Sequence, residues 1–346
     1  MLMNEGKNLK IIIYGAGAIG TSLAGFLTPH YDQIYLLARG ENAKVLKSQG
    51  LILYEKENDN PEPISVNIIE NLSEIPNPDV VMISVKNYSL EEVAKDISSK
   101  LDDEPIIVGL QNGIKNQEIL PKYFSKIIYG VILYTAWRDE PGVFGFTTKG
   151  PLVLGTKDND LQEEIQSISD ILDLGIKANL TNNLQDAARC KMIMNLSNAA
   201  ATLIKLNFPD EDSFTKFRKI IINLFLEGIE IIKAAGFSEQ KLDGMPSWKL
   251  LKLANKIPKK MANKTFRKSM TGMLHNSMAQ DKILRERDQS ELESLSGYFI
   301  ELANSLNLEI PYNETIYQLS KEEFQKKPFN PLPIDTVWKK IQSKIL

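Results

Sequence analysis

Residues 9–27 read LKIIIYGAGAIGTSLAGFL, and this stretch decides the fold. A β-branched run is followed by Gly15-Ala16-Gly17-Ala18-Ile19-Gly20 and then by small and apolar residues, which predicts a buried strand, a tight turn and a helix in direct succession. The three glycines meet three demands: a tight turn at Gly15, close approach of a pyrophosphate to bare backbone at Gly17, and close helix-to-strand packing at Gly20. The N-terminus of the following helix adds unpaired N–H groups and partial positive charge. These six residues are expected to hold a dinucleotide.

The choice of dinucleotide is written at the end of the second strand. An acid there binds a ribose 2′-hydroxyl, whereas arginine matches a 2′-phosphate bidentately. Here YLLA (35–38) runs into Arg39 and Gly40, with Glu41 next. Arg39 points to NADP(H) over NAD(H), and the lack of an acid directly at the strand end argues against FAD.

Outward from this motif, short apolar runs alternate with helical stretches. Residues 9–14, 33–37, 80–85, 105–110 and 126–133 read as strands, and their near-continuous apolar character suits a parallel sheet covered on both faces. The charged turn EKENDNPEP (55–63), between Leu51 and Ile69, predicts a small inserted hairpin. Further strands are expected at 150–155 and 175–180, around a helix at 161–174.

From Asn183 onward the spacing becomes three and four, as in RKIIINLFLEGIEIIKAAG (218–236) and LESLSGYFIELANSLN (292–307), with Gly236 and Asn307 placed to stop those helices. The KKPFNPLP segment (326–333) reads as a proline-punctuated surface connection. The expected fold is α/β: an N-terminal Rossmann-type doubly wound sheet in residues 1–182, followed by an all-α domain in 183–346 that carries substrate and catalysis.

Composition agrees. A chain of 346 residues, 43% hydrophobic and 25% charged, fits two globular domains. A net charge of -3 gives no global reason to approach nucleic acid or an anionic membrane, so any phosphate must be held locally. One cysteine, Cys190, excludes an internal disulfide, and with two histidines leaves little for a metal site; none is expected. No signal-peptide pattern and no apolar run of about 18 residues occurs, so a cytoplasmic protein is expected. The long apolar helices leave open whether they pack within the domain or form a homodimer.

Several segments together carry a resemblance: GAGAIG (15–20), LLARGENAKVLKSQGLIL (36–53), ISVKNY (83–88), LQNGIKNQE (110–118), PGVFGF (141–146), KMIMNLSNAA (191–200), SMAQD (277–281) and SELESLSGYF (290–299). In this order they resemble the ketopantoate reductases (2-dehydropantoate 2-reductases). The resemblance implies hydride transfer from NADPH to the ketone carbon of a 2-keto acid, in pantothenate biosynthesis. It places Lys86 and Asn112 beside the cofactor, makes Lys191 the catalytic lysine, and assigns Asn195, Asn198, Ser277 and Glu291 to substrate. Lys191, Asn195 and Asn198 stand at i, i+4 and i+7 and share one helix face. Asp281 also matches a family acid, read as a cap or ion pair.

Three departures bear on substrate. Arg189 stands where the family has a large aromatic, Ala199 where it commonly has an asparagine, and KILRERDQS (282–290) is longer than the family spacing before the glutamate. A cleft between the two domains is the expected active site. The alternatives are a hydroxyacid dehydrogenase with another 2-keto acid, and a non-catalytic NADP(H)-binding sensor.

Overall fold

Ile11, Ile12 and Ile13 are fully buried and form the middle of a parallel sheet, as an unbroken β-branched run requires when both faces are covered. The structure is a computed structural model and describes residues 8–55, 61–101, 104–270 and 276–345. The chain divides into two compact units, Met1–Gln185 and Asp186–Leu346.

In the first unit the strands are β1 (Ile11–Tyr14), β2 (Ile34–Leu37), β3 (Ile52–Tyr54), β4 (Asn67–Ile69), β5 (Val80–Ile83), β6 (Ile106–Gly109), β7 (Ile127–Ile132), β8 (Ala136–Glu140), β9 (Val143–Phe146), β10 (Leu152–Gly155) and β11 (Ala178–Leu180). Among the described residues the main sheet has the order β11-β10-β7-β6-β5-β1-β2-β4. From β4 to β7 all pairs are parallel, with Ile11 opposite both Ile34 and Val80; β10 runs antiparallel to β7. The chain leaves β1 toward β2 and β4, then returns to β5 and proceeds the other way. The carboxyl ends of β1 and β5 are therefore a topological switch point, where an open α/β sheet binds ligands. The helices of this unit are α1 (Ala18–Leu27), α2 (Gly40–Gln49), α3 (Leu90–Lys100), α4 (Asn116–Ile119) and α5 (Gln162–Leu172).

The hairpin expected between Leu51 and Ile69 is corrected. Among the described residues one antiparallel bridge, Leu51 to Ile64, joins its arms. β4 then becomes the edge strand of the main sheet beside β2, while β3 pairs in parallel with β9 in a separate sheet of order β3-β9-β8. The tip of the charged turn, 56–60, lies outside the described residues. The β8–β9 hairpin itself was not foreseen; the indole of Trp137 covers Gly145, where an added Cβ would lie 2.3 Å from the ring.

In the second unit α6 (Leu184–Leu203) leads to α7 (Glu211–Ala234), the central helix. Phe214, Phe217, Ile220, Ile221, Leu224, Ile229 and Ile232 of α7 have no exposed surface, and helices Pro311–Glu323 and Ile334–Ile345 pack on it. Gly236 (φ 85°) and Asn307 (φ 53°) take the left-handed conformation that ends a helix, and Phe237 and Leu308 N–H bond back to Ile232 and Ala303 O at 3.1 and 3.0 Å. The proline-punctuated segment is fastened to the end of α6: Leu332 N–H donates to Leu203 O and Lys205 N–H to Leu332 O, at 2.7 and 2.9 Å.

Candidate active site

In the first unit the glycine loop is built for close approach. Gly15 has φ 114°, which a side chain would strain, and a Cβ at Gly20 would lie 2.0 Å from Gly15 O. At Gly17 an added Cβ would meet nothing within 4 Å, so this backbone faces open space. Ser84 Oγ, just past β5, donates to Gly15 O at 2.8 Å and so locks the loop against the switch point. Gly17 caps α1 with no side-chain hydrogen bond, and the first turn holds no acid. Its N–H groups are left for an anion, which fits a dinucleotide pyrophosphate.

Arg39 is the N-cap residue of α2, with its side chain 60% exposed. Its Nη2 donates to Tyr14 Oη at 3.1 Å and stands 3.7 Å from Asp96 Oδ2. Lys86 caps the turn Asn87–Ser89 after β5, and Asn112 follows β6; the Asn87 amide donates to Asn112 O at 2.7 Å and joins the two loops. Loops after β1, β2, β5 and β6 thus converge at the carboxyl edge of one sheet.

Three residues that sequence reasoning did not single out hold this arrangement. Gln111 Nε2 donates to Ile83 O and Val85 O at 2.7 and 3.2 Å, and Asn42 Nδ2 donates to Ala16 O at 3.2 Å while its Oδ1 accepts from Gly142 N–H at 3.1 Å. Ser84 is the third. Each lies inside a quoted motif; for Ser84 and Gln111 a polar residue just past a buried strand was the signal available, while Asn42, inside α2, offered none.

In the second unit α6 carries Lys191, Asn195 and Asn198 on one face. Lys191 is partly buried, and burial lowers its ammonium from the usual lysine range to about 8. It makes no ion pair among the described residues. Asn195 is buried, and its Nδ2 has no hydrogen-bond partner among the described residues. A buried amide without a partner calls for an explanation, and an acceptor on a ligand is one.

Ser277 and Glu291 come together: Ser277 Oγ donates to Glu291 Oε2 at 3.2 Å, and Glu291 is buried. Asn276 Oδ1 accepts from Ala279 N–H at 2.9 Å and lies 3.3 Å from Thr202 Oγ1, so α6 is tied to the segment bearing Ser277. Neither Thr202 nor Asn276 was foreseen. π-Helical turns follow Ser277 and Glu291, at Gln280–Leu284 and Glu293–Gly297, a distortion common at functional sites.

The three departures have local explanations. Arg189 lies 3.8 Å over the Phe237 ring and donates to Tyr298 Oη at 3.0 Å, and Ala199 is fully buried. The longer segment is pinned by Asp281, which is buried and pairs with Arg285 and Arg287 at 3.3 and 3.1 Å, while Lys282 Nζ donates to Arg287 O at 2.7 Å.

Residues 11–159 match the family described as Ketopantoate reductase PanE/ApbA, and residues 183–324 match its C-terminal part. The chain is 26% identical to the 2-dehydropantoate 2-reductase of Pyrococcus horikoshii over 320 residues, 90% of this chain and 97% of the relative. It is 24% identical to that of Lactococcus lactis, covering 92% and 99%. Among solved structures, 2-dehydropantoate 2-reductase from Geobacter metallireducens superimposes with a TM-score of 0.72 at 22% identity, over 91% of this chain and 99% of that one. D-mandelate dehydrogenase with NADH does so at 0.70 and 20%, over 93% and 100%. With both halves matched in order, the chain is an oxidoreductase that belongs to the ketopantoate reductase family.

Proposed function

We propose that this protein reduces a 2-keto acid with NADPH, and that the substrate is 2-dehydropantoate, giving pantoate for pantothenate and coenzyme A synthesis in the cytoplasm. Residues 1–182 would bind the dinucleotide and 183–346 the substrate. NADPH, when bound, supplies the hydride. Backbone N–H groups of Gly15, Ala16, Gly17, Ala18, Ile19 and Gly20 would hold its pyrophosphate and Arg39 its 2′-phosphate, with Lys86 and Asn112 alongside.

Lys191 is the observation that carries this reading. A partly desolvated ammonium with no ion pair among the described residues, lowered to about 8, is still mostly protonated at neutral pH. It can stabilise the charge that grows on the ketone oxygen and then donate its proton there, while hydride adds to the carbon. Asn195 and Asn198 orient the carbonyl from the same helix face. Ser277 would turn its single O–H from Glu291 to the substrate carboxylate, and Glu291 would accept from a substrate hydroxyl in its place.

The packing of Arg189 against Phe237 and Tyr298, and the clamped segment before Glu291, favour a second reading in which another 2-keto acid is reduced by the same chemistry. Oxidation of NADPH, followed by its near-ultraviolet absorbance against 2-dehydropantoate and a panel of 2-keto acids, separates the two. Turnover of 2-dehydropantoate above the rest supports the first, and turnover of another acid alone the second. Silence across the panel with intact NADPH binding defeats both.

A further inference from the structure

Tyr14 ends β1 directly before the glycine loop, and its hydroxyl stands between two charges. It donates to Asp96 Oδ2 at 2.7 Å and accepts from Arg39 Nη2 at 3.1 Å. Lys100 Nζ occupies the other carboxylate oxygen at 2.7 Å. Arg39 and Asp96 consequently remain 3.7 Å apart. Left to themselves, a guanidinium and a carboxylate close to a two-bonded contact of about 2.7–2.9 Å, which would occupy the fork that a phosphate needs.

The phenol prevents that closure. Burial and the Asp96 carboxylate push Tyr14 up to about 12, so it keeps its proton on Asp96 and its lone pairs toward Arg39. The guanidinium also lies 5.8 Å over the Tyr14 ring, while its Nε and Nη1 make no hydrogen bond among the described residues. Its side chain stays 60% exposed.

We infer that Tyr14 is a positioning residue for recognition of the cofactor's 2′-phosphate: it occupies Asp96 and steers Arg39, so that the ion pair between them stays at 3.7 Å and does not close into a two-bonded contact. This rests on the NADPH reading above and adds a residue to it. Asp96 is, on this view, a latent competitor held off by Tyr14 and Lys100.

The test is titration calorimetry of the whole protein with adenosine 2′,5′-bisphosphate and with 5′-AMP, which lacks the 2′-phosphate. Tyr14→Phe is expected to weaken the bisphosphate about tenfold, the worth of one hydrogen bond beside a charge, and to leave 5′-AMP within about twofold. Adding Asp96→Asn to Tyr14→Phe should restore most of the loss, by a larger factor than Asp96→Asn alone changes the wild type. Asp96→Glu, which keeps the charge and Tyr14 but lengthens the reach, should also weaken the bisphosphate selectively, and it serves if Tyr14→Phe does not fold. Equal loss for both ligands in Tyr14→Phe, no loss in either single variant, or strict additivity in the double variant overturns the inference. Equal affinity of the wild type for the two ligands instead defeats the NADPH reading itself.

Discussion

Lys191 shows how one residue's chemistry depends on its surroundings. Lysine on a helix face is ordinarily solvated and cationic well above neutrality; here burial lowers it to about 8. If the ammonium is the proton donor, kcat/KM for reduction should be level below about pH 8 and fall roughly tenfold per unit above it, because only the protonated form acts. Lys191→Ala should lower kcat by about 10²–10⁴ with NADPH affinity unchanged. A variant near wild-type turnover, or a profile with no alkaline limb, would remove Lys191 from the mechanism. The sequence displayed this residue and its partners at four and seven, since helix periodicity alone sets them on one face. It did not display the state of the lysine, because desolvation comes from groups distant in the chain.

Elements place these residues, and two of them are sensitive at single points. α1 approaches β1 so closely that a Cβ at Gly20 would sit 2.0 Å from Gly15 O. Gly20→Ala must push helix and loop apart, so it should abolish detectable binding of adenosine 2′,5′-bisphosphate and lower the melting temperature; intact binding would show that the loop relaxes at no cost. In the second unit Glu227 of α7 is buried and accepts from Tyr312 N–H, Asn313 N–H and Asn313 Nδ2 at 2.9, 2.8 and 2.8 Å, fixing the first turn of helix Pro311–Glu323 to the central helix. Burial pushes its carboxyl up to about 7 while those donors hold it down. Glutamine offers one acceptor oxygen for three donors, so Glu227→Gln should cost about 1–3 kcal/mol in chemical denaturation. An unchanged midpoint would show that water replaces the lost acceptor. Both helices were legible as helices; the partner of Glu227 was not, being 86 residues away.

At the scale of the whole molecule, ligand linkage offers the simplest measurement. A dinucleotide that binds only the folded chain stabilises it by about 2.7 kcal/mol at a hundredfold excess over Kd. NADPH should therefore raise the melting temperature by a few degrees, and NADH at equal concentration by less; equal shifts would contradict the role given to Arg39. Among the described residues no helix is long and apolar enough to cross a membrane, and no cluster of His, Cys, Asp or Glu is grouped to hold a metal. The sequence by itself determined the parallel sheet, the glycine loop, the helical second half and the polar face of α6, because each is set by neighbours within a few residues through sterics, β-branching and the period of apolar positions. Only the tertiary structure decided that β3 and β4 join different sheets, that Ser277 reaches Glu291 and Thr202 reaches Asn276, and that Tyr14 stands between Arg39 and Asp96. Those outcomes depend on strand register and on where long connections return, which local preference does not encode.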